Sequence, residues 1–244
     1  MSLLEVKSGT KKYGVFTALK DVSFTVGPNT FHGLIGPNGS GKSTLLKAIS
    51  GAHYVNSGAV LFQGKDVTRQ PAYQRSRMGM SLKFQITSVL PELSLFDNLL
   101  LAKQARQPIF ALALSATAKA MHDEIMIDLE RFGLGRRAHD PAGILSHGQQ
   151  QWLEIAMAVT QGPKLLLLDE PTGGMSLEER RATGEFLQPL KPSTTLIIVE
   201  HDLDFIRTIC DSVTVLDQGR VIYHGPTADL DASEEVKRIY TTRT

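Results

Sequence analysis

Apolar and polar positions alternate with period two through the first third of the chain and change to a spacing of three to four in the middle. LEVKSGTKKY (4–13), LKDVSFTV (19–26), FHGLIG (31–36) and GAVLFQGKDV (58–67) show alternation or short β-branched and aromatic runs, and each reads as a strand. From about 88 to 162 the spacing turns helical: LFDNLLLAK, AMHDEIMIDLERFG and GQQQWLEIAMAV return apolar residues at three- and four-residue intervals. Further on, KLLLLDEP and TTLIIVEHD are nearly continuous apolar runs separated by the helical SLEERRATGEFLQPL. Such runs are buried on both faces and belong in a parallel sheet covered by helices. SVTVLDQ and GRVIYHG alternate around Gln218-Gly219 and predict a hairpin. The pattern therefore predicts an α/β domain over 1–244 with a helical sub-domain at about 88–162, and it holds no internal repeat.

Composition narrows the partners. The 244 residues suffice for a sizeable core, and 26 basic against 25 acidic side chains give a net charge of +1. That balance offers no electrostatic argument for nucleic acid or for an anionic membrane surface. A single cysteine, Cys210, excludes an intramolecular disulfide and any multi-cysteine metal site, which fits a reducing cytosol. The opening MSLLEVKSG lacks a basic segment followed by an apolar stretch. The long uncharged window Val22 to Gly41 holds five glycines and two prolines, and FALALSATAKAM (110–121) is short and punctuated, so it reads as a packed helix. The expectation is a chain that does not itself cross a bilayer.

Candidate chemistry gathers where the apolar runs end. GPNGSGKST (36–44) fits G-x-x-x-x-G-K-[ST], after a predicted strand and before a helical pattern. Backbone N–H groups converging from a tight loop and a helix start bind polyphosphate, so Gly36, Pro37, Asn38, Gly39, Ser40, Gly41, Lys42, Ser43 and Thr44 are expected to cradle a nucleotide. Lys42 would serve the β- and γ-phosphates and the Ser43 hydroxyl would ligate Mg²⁺. LLLLDEP (165–171) ends in two carboxylates: Asp169 is placed to support the metal, and Glu170 to polarise a water for in-line attack on the γ-phosphate. IIVEHD (197–202) delivers His201 to the same end of the sheet, beside the γ-phosphate.

LSHGQQQWLEIAMAV (145–159) is similar to the LSGGQ signature of ATP-binding-cassette (ABC) transporters, and the resemblance extends over essentially the whole chain. It implies a P-loop NTPase cassette with a mostly parallel core sheet, an N-terminal antiparallel β region and a helical sub-domain. It also implies that Ser146, Gly148 and Gln149, at a helix start, close on the nucleotide of the opposite subunit. Tyr13 in KKYG matches the residue that stacks on adenine, the alternative being an ordinary strand tyrosine. Gln85 in KFQ matches the glutamine joining the Mg²⁺ site to the helical sub-domain. Three positions depart from the family pattern: Ser176 of GGMS stands where aspartate is usual, His147 replaces the first glycine of the signature, and Trp152 stands where arginine is common.

KFQ, GGMS and the short tail look most like ATPases of importers for branched-chain amino acids and urea, with LSHGQQQWLEI leaning toward urea. The resemblance implies ATP and Mg²⁺ as cofactors and a homodimer or a paralogous second ATPase. It also implies integral-membrane permease subunits, indirectly a solute-binding protein, and a peripheral place on the cytoplasmic face of the membrane. ITSVLPELSLFDNLL (86–100) is the expected permease-docking surface, with a packed core as the alternative reading of its apolar residues. Competing readings are a soluble ABC ATPase of iron–sulfur cluster assembly and the ATPase of a lipopolysaccharide-type exporter.

Overall fold

A computed structural model describes residues 2–83, 89–105 and 115–241. The antiparallel sheet holds β1 (Leu4–Tyr13), β2 (Phe16–Val26), β4 (Ser57–Phe62) and β5 (Lys65–Asp66) in the order β2-β1-β4-β5. The second sheet runs β10-β9-β3-β8-β7-β6 and comprises β3 (Phe31–Ile35), β6 (Met80–Lys83), β7 (Leu165–Asp169), β8 (Thr195–Val199), β9 (Ser212–Asp217) and β10 (Arg220–Pro226). All its pairings are parallel except β9 with β10. The helices are α1 (Lys42–Ser50), α2 (Ala72–Arg77), α3 (Leu95–Gln104), α4 (Ser115–Arg131), α5 (His147–Val159), α6 (Leu177–Leu187), α7 (Leu203–Ile209) and α8 (Glu234–Thr241).

The four leucines of β7 show why the sheet forms. Leu166 and Leu168 enter the core shared with the helical region, while Leu165 and Leu167 enter the core under the antiparallel sheet. Leu196 and Ile198 of β8 divide from Ile197 and Val199 in the same way, so a continuous apolar run satisfies two cores at once. The register pairs Leu34 with Val199 and Val199 with Asp169, so the carboxyl ends of β3, β8 and β7 lie side by side. Ligand groups collect at that edge in open α/β sheets.

Several details differ from the sequence reading. GAVLFQGKDV is two short strands broken by Gln63-Gly64, both at positive φ (53° and 74°), with Phe62 paired to Lys65 across the turn. Strand β6 and helices α2, α7 and α8 occupy segments that carried no clear periodicity. The predicted hairpin at Gln218-Gly219 is present, with Asp217 paired to Arg220. FALALSATAKAM enters α4 at its described end, while its residues 110–114 lie outside the described residues.

In the expected docking segment Leu95 and Leu99 are buried in the core, and half-buried Ser94 caps α3 by accepting from the Asp97 N–H at 2.9 Å. The segment therefore holds packed and exposed positions side by side: Leu90, Pro91, Glu92 and Asp97 are exposed, and 86–88 lie outside the described residues.

Two fully buried polar side chains tie separate segments together. Arg75 is fully buried, and its guanidinium donates to the carbonyls of Ala48 and Ile49 at the end of α1 (2.7 and 2.6 Å) and to those of Gln70 and Thr68 (2.9 and 3.1 Å). A cation there satisfies terminal carbonyls and complements the negative end of the helix. His32, also fully buried in β3, pairs its ring nitrogens with the hydroxyls of Ser212 (2.7 Å) and Thr214 (2.8 Å) and stacks on Phe24.

Candidate functional site

The chain leaves β3 through Gly36, whose φ of 145° is open only to glycine and whose missing Cβ would lie 2.0 Å from the Leu216 carbonyl oxygen. The loop closes on Gly41, in a left-handed conformation, and α1 starts at Lys42 with no side chain capping it. Lys42 is buried and donates to the carbonyls of Gly36 (2.7 Å) and Pro37 (3.0 Å). Burial lowers its pKa, while Glu170 and Asp169 pull in the opposite sense, which places both carboxylates within electrostatic reach of the ammonium. Ser40 carries a buried hydroxyl with no hydrogen-bond partner among the described residues.

A cleft of about 260 Å³ lies over this loop, lined by Asn38 to Thr44, Glu170, His201, Ala18 and Phe16. The structure thus brings together the phosphate loop, Glu170 and His201 as the sequence predicted. Asp169 is buried at the end of β7 next to Glu170. Tyr13, half-exposed at the end of β1, sits edge-on to His53 with the Lys11 ammonium 5.0 Å from its ring centre, and the aromatic side chain lining the cleft is Phe16. Gln85 lies outside the described residues.

Glu170 is held in an unusual shape. Its φ is +49°, a left-handed conformation that costs a non-glycine residue on the order of 1–3 kcal/mol. Its N–H donates to the Val199 carbonyl at 2.9 Å, and its own carbonyl accepts from the Gly173 N–H at 3.2 Å, closing a turn over 170–173. The carboxylate meets His201 Nε2 at 2.7 Å. Glu200, overlooked in the sequence beside the histidine, is buried and accepts from the Thr172 N–H (2.9 Å), the Thr172 hydroxyl (2.7 Å) and the His201 N–H (3.2 Å). It fastens the turn after β7 to the end of β8.

The second predicted anion site is built differently. Ser146 caps α5 by accepting from the Gln149 N–H (3.3 Å), and the Gln149 side-chain oxygen accepts from the Ser146 N–H (3.2 Å) and from Arg137 (2.9 Å). Gly148 is pressed against α6: a Cβ there would lie 2.3 Å from a Glu179 carboxylate oxygen. The departures from the family pattern find structural roles here. Ser176 caps α6 in a reciprocal pair with Glu179, and Trp152 donates its indole N–H to the Thr183 hydroxyl at 2.8 Å, packing α5 on α6. Among the described residues no group of three or more His, Cys, Asp or Glu forms a metal cluster, and no helix is long and apolar enough to cross a membrane.

Comparison with known proteins agrees with this geometry. The ABC transporter family pattern matches residues 19–173. The high-affinity branched-chain amino acid transport ATP-binding protein LivG of Escherichia coli (strain K12) is 30% identical over 98% of this chain and 97% of its own length. The phosphonates import ATP-binding protein PhnC of Rhizobium etli is 31% identical over 98% of this chain and 86% of its own. An ATP-binding cassette of an ABC transporter solved in its ADP conformation superposes with a TM-score of 0.87 at 28% identity, covering 99% of each chain. A dimeric post-hydrolysis cassette bound to ADP and phosphate superposes with a TM-score of 0.79 at 25% identity, covering 92% of this chain and 98% of that one.

Proposed function

The chain belongs to the ABC transporter family and is an ABC-type ATPase, and from that premise we propose that it powers an importer for branched-chain amino acids. The observation that carries the catalytic part is the Glu170–His201 contact of 2.7 Å facing the phosphate loop across one cleft. ATP enters with its phosphates on the N–H groups of the loop, and the Lys42 ammonium turns from the Gly36 and Pro37 carbonyls to the β- and γ-phosphates. Adenine lies over Tyr13, with Phe16 at the rim of the same cleft. The Glu170 carboxylate takes a proton from a water whose oxygen bonds to the γ-phosphorus, the bond to the β–γ bridging oxygen breaks, and ADP and phosphate leave. His201 donates to Glu170 and orients it.

The Ser43 hydroxyl and the Asp169 carboxylate are hard oxygen donors beside the loop, which suits Mg²⁺, and Gln85 completes the expected set; bound there, the ion neutralises charge on the β- and γ-phosphates. The neighbouring buried Ser40 hydroxyl, which lacks a partner among the described residues, is a further polar group at the loop.

Two cassettes close over two nucleotides, with Ser146, Gly148 and Gln149 of one facing the phosphates of the other, and closure moves the permease subunits. The chain then works peripherally at the membrane, served by a solute-binding protein. Relatives named for branched-chain amino acids and phosphonates support the importer reading over iron–sulfur cluster assembly or lipopolysaccharide-type export, and the urea lean of LSHGQQQWLEI gains no support from them. Glu170→Gln tests the site: it should still bind ATP while turnover falls on the order of 10²-fold or more. Wild-type turnover in that variant would move the base elsewhere. Purification from membranes should recover permease subunits, and their absence would remove the importer reading.

A further inference from the structure

One departure from the family pattern touches the turn that follows β7. His147, the first residue of α5, places Nε2 3.2 Å from the Gly173 carbonyl. A carbonyl only accepts, so Nε2 carries the hydrogen and donates. Gly174, next along, has φ +75°, and a Cβ there would sit 3.2 Å from both Cδ2 and Nε2 of the histidine. The imidazole thus fills room that the glycine leaves, and a glycine at 147 would have no side chain to reach this carbonyl.

The bonded carbonyl belongs to the last residue of the turn that holds Glu170. The Gly173 N–H donates to the Glu170 carbonyl at 3.2 Å, and Thr172, one residue earlier, is bound through both its N–H and its hydroxyl to buried Glu200. One wall of the turn is therefore anchored in the sheet and the other is held by His147. Glu170 itself sits at φ +49°, a conformation that persists only where its surroundings over-determine it.

We propose that His147 is a positioning residue for Glu170: by donating to the Gly173 carbonyl, it holds the 170–173 turn in the shape that aims the carboxylate into the phosphate-loop cleft. The proposal rests on Glu170 being the base. Because the link runs within one chain, movement of α5 is transmitted to the base through two hydrogen bonds. His147 is exposed, so its replacement leaves the core intact.

The test compares the wild-type chain with His147→Ala, His147→Gln and Glu170→Gln. In the nucleotide-free protein, the backbone amide NMR signals of Gly173 and Gly174 should shift in His147→Ala and stay in place in His147→Gln, whose side-chain amide retains a donor of similar reach. In steady-state ATPase assays, His147→Ala should lower kcat by about three- to tenfold with KM unchanged, as expected for loss of one hydrogen bond acting on the chemical step, and His147→Gln should remain within about twofold of wild type. An unchanged kcat in His147→Ala, or equal damage in both variants, overturns the proposal. A raised KM at constant kcat would assign His147 to nucleotide binding instead. Amide signals that do not move in His147→Ala would remove the link itself. Wild-type turnover in Glu170→Gln, with the Gly173 signal still shifting in His147→Ala, would remove the base assignment and with it the kinetic role, while leaving the contact standing.

Discussion

The starts of α1 and α5 look equivalent in sequence, each a glycine-containing turn leading into a helix, yet the folded chain treats them oppositely. Helix α1 begins from Gly41 with no side chain capping it, and the first N–H to close a helical bond is that of Leu45, onto the Gly41 carbonyl. Helix α5 begins with a complete capping box, and its glutamine is also held by Arg137. An uncapped start leaves all its first N–H groups to a ligand, whereas a capping side chain takes one of them. At α5 the box leaves out the N–H groups of His147 and Gly148, and the Ser146 oxygen accepts from Gln149 while its O–H remains a donor. The first helix thus starts with no side chain on its N–H groups, and the second starts with one of them taken and its cap braced by Arg137.

Substitutions can separate these two designs. Gly36→Ala should have the largest effect, since the new Cβ would lie 2.0 Å from the Leu216 carbonyl; we expect a loss of about 3–5 kcal/mol in denaturant unfolding, together with loss of ATP binding. Lys42→Ala should reduce hydrolysis on the order of 10²- to 10³-fold without lowering the melting temperature, because burial already disfavours the ammonium. A destabilised Lys42→Ala would mean that the lysine holds the loop together and is not reserved for phosphate. At α5, Ser146→Ala should cost about 1 kcal/mol of stability, whereas Ser146→Asn should keep the stability and still lose hydrolysis. Equal activity in Ser146→Asn and wild type would show that capping is all the serine does. Arg137→Ala should matter least, about 0.5 kcal/mol in thermal unfolding, because its bond to Gln149 lies near the surface.

The capping difference also marks what the sequence could show. The leucines of β7, the phosphate loop and the Gln218-Gly219 hairpin were legible because their signals are local and strong. Arg75 was not, because its partners lie at 48, 49, 68 and 70 and no short window contains them. Strand β6 spans Met80–Lys83 at the sheet edge, too short for alternation to declare itself. Glu200 was visible beside His201, but its bond to Thr172 depends on the register of β7 and β8. Ser176 raised the question of a missing aspartate, and the structure gives the serine the capping role that an aspartate performs equally well.

His32 lies on the same strand that feeds the phosphate loop, and it makes the whole chain sensitive to acid. Burial, with His224 nearby adding to the effect, pushes its pKa down to about 3 from an ordinary 6.5. The unfolded chain therefore binds the proton first, so stability is fully present above pH 6.5 and falls as pH drops toward 3, by about 1.4 kcal/mol for each unit. Unfolding experiments between pH 7 and 4 should show stability falling with pH, and His32→Asn should reduce that fall, with His224, whose pKa burial also lowers, keeping a part of it. The neutral imidazole is a polar rivet between β3 and β9, and a second proton would turn its one accepting nitrogen into a donor.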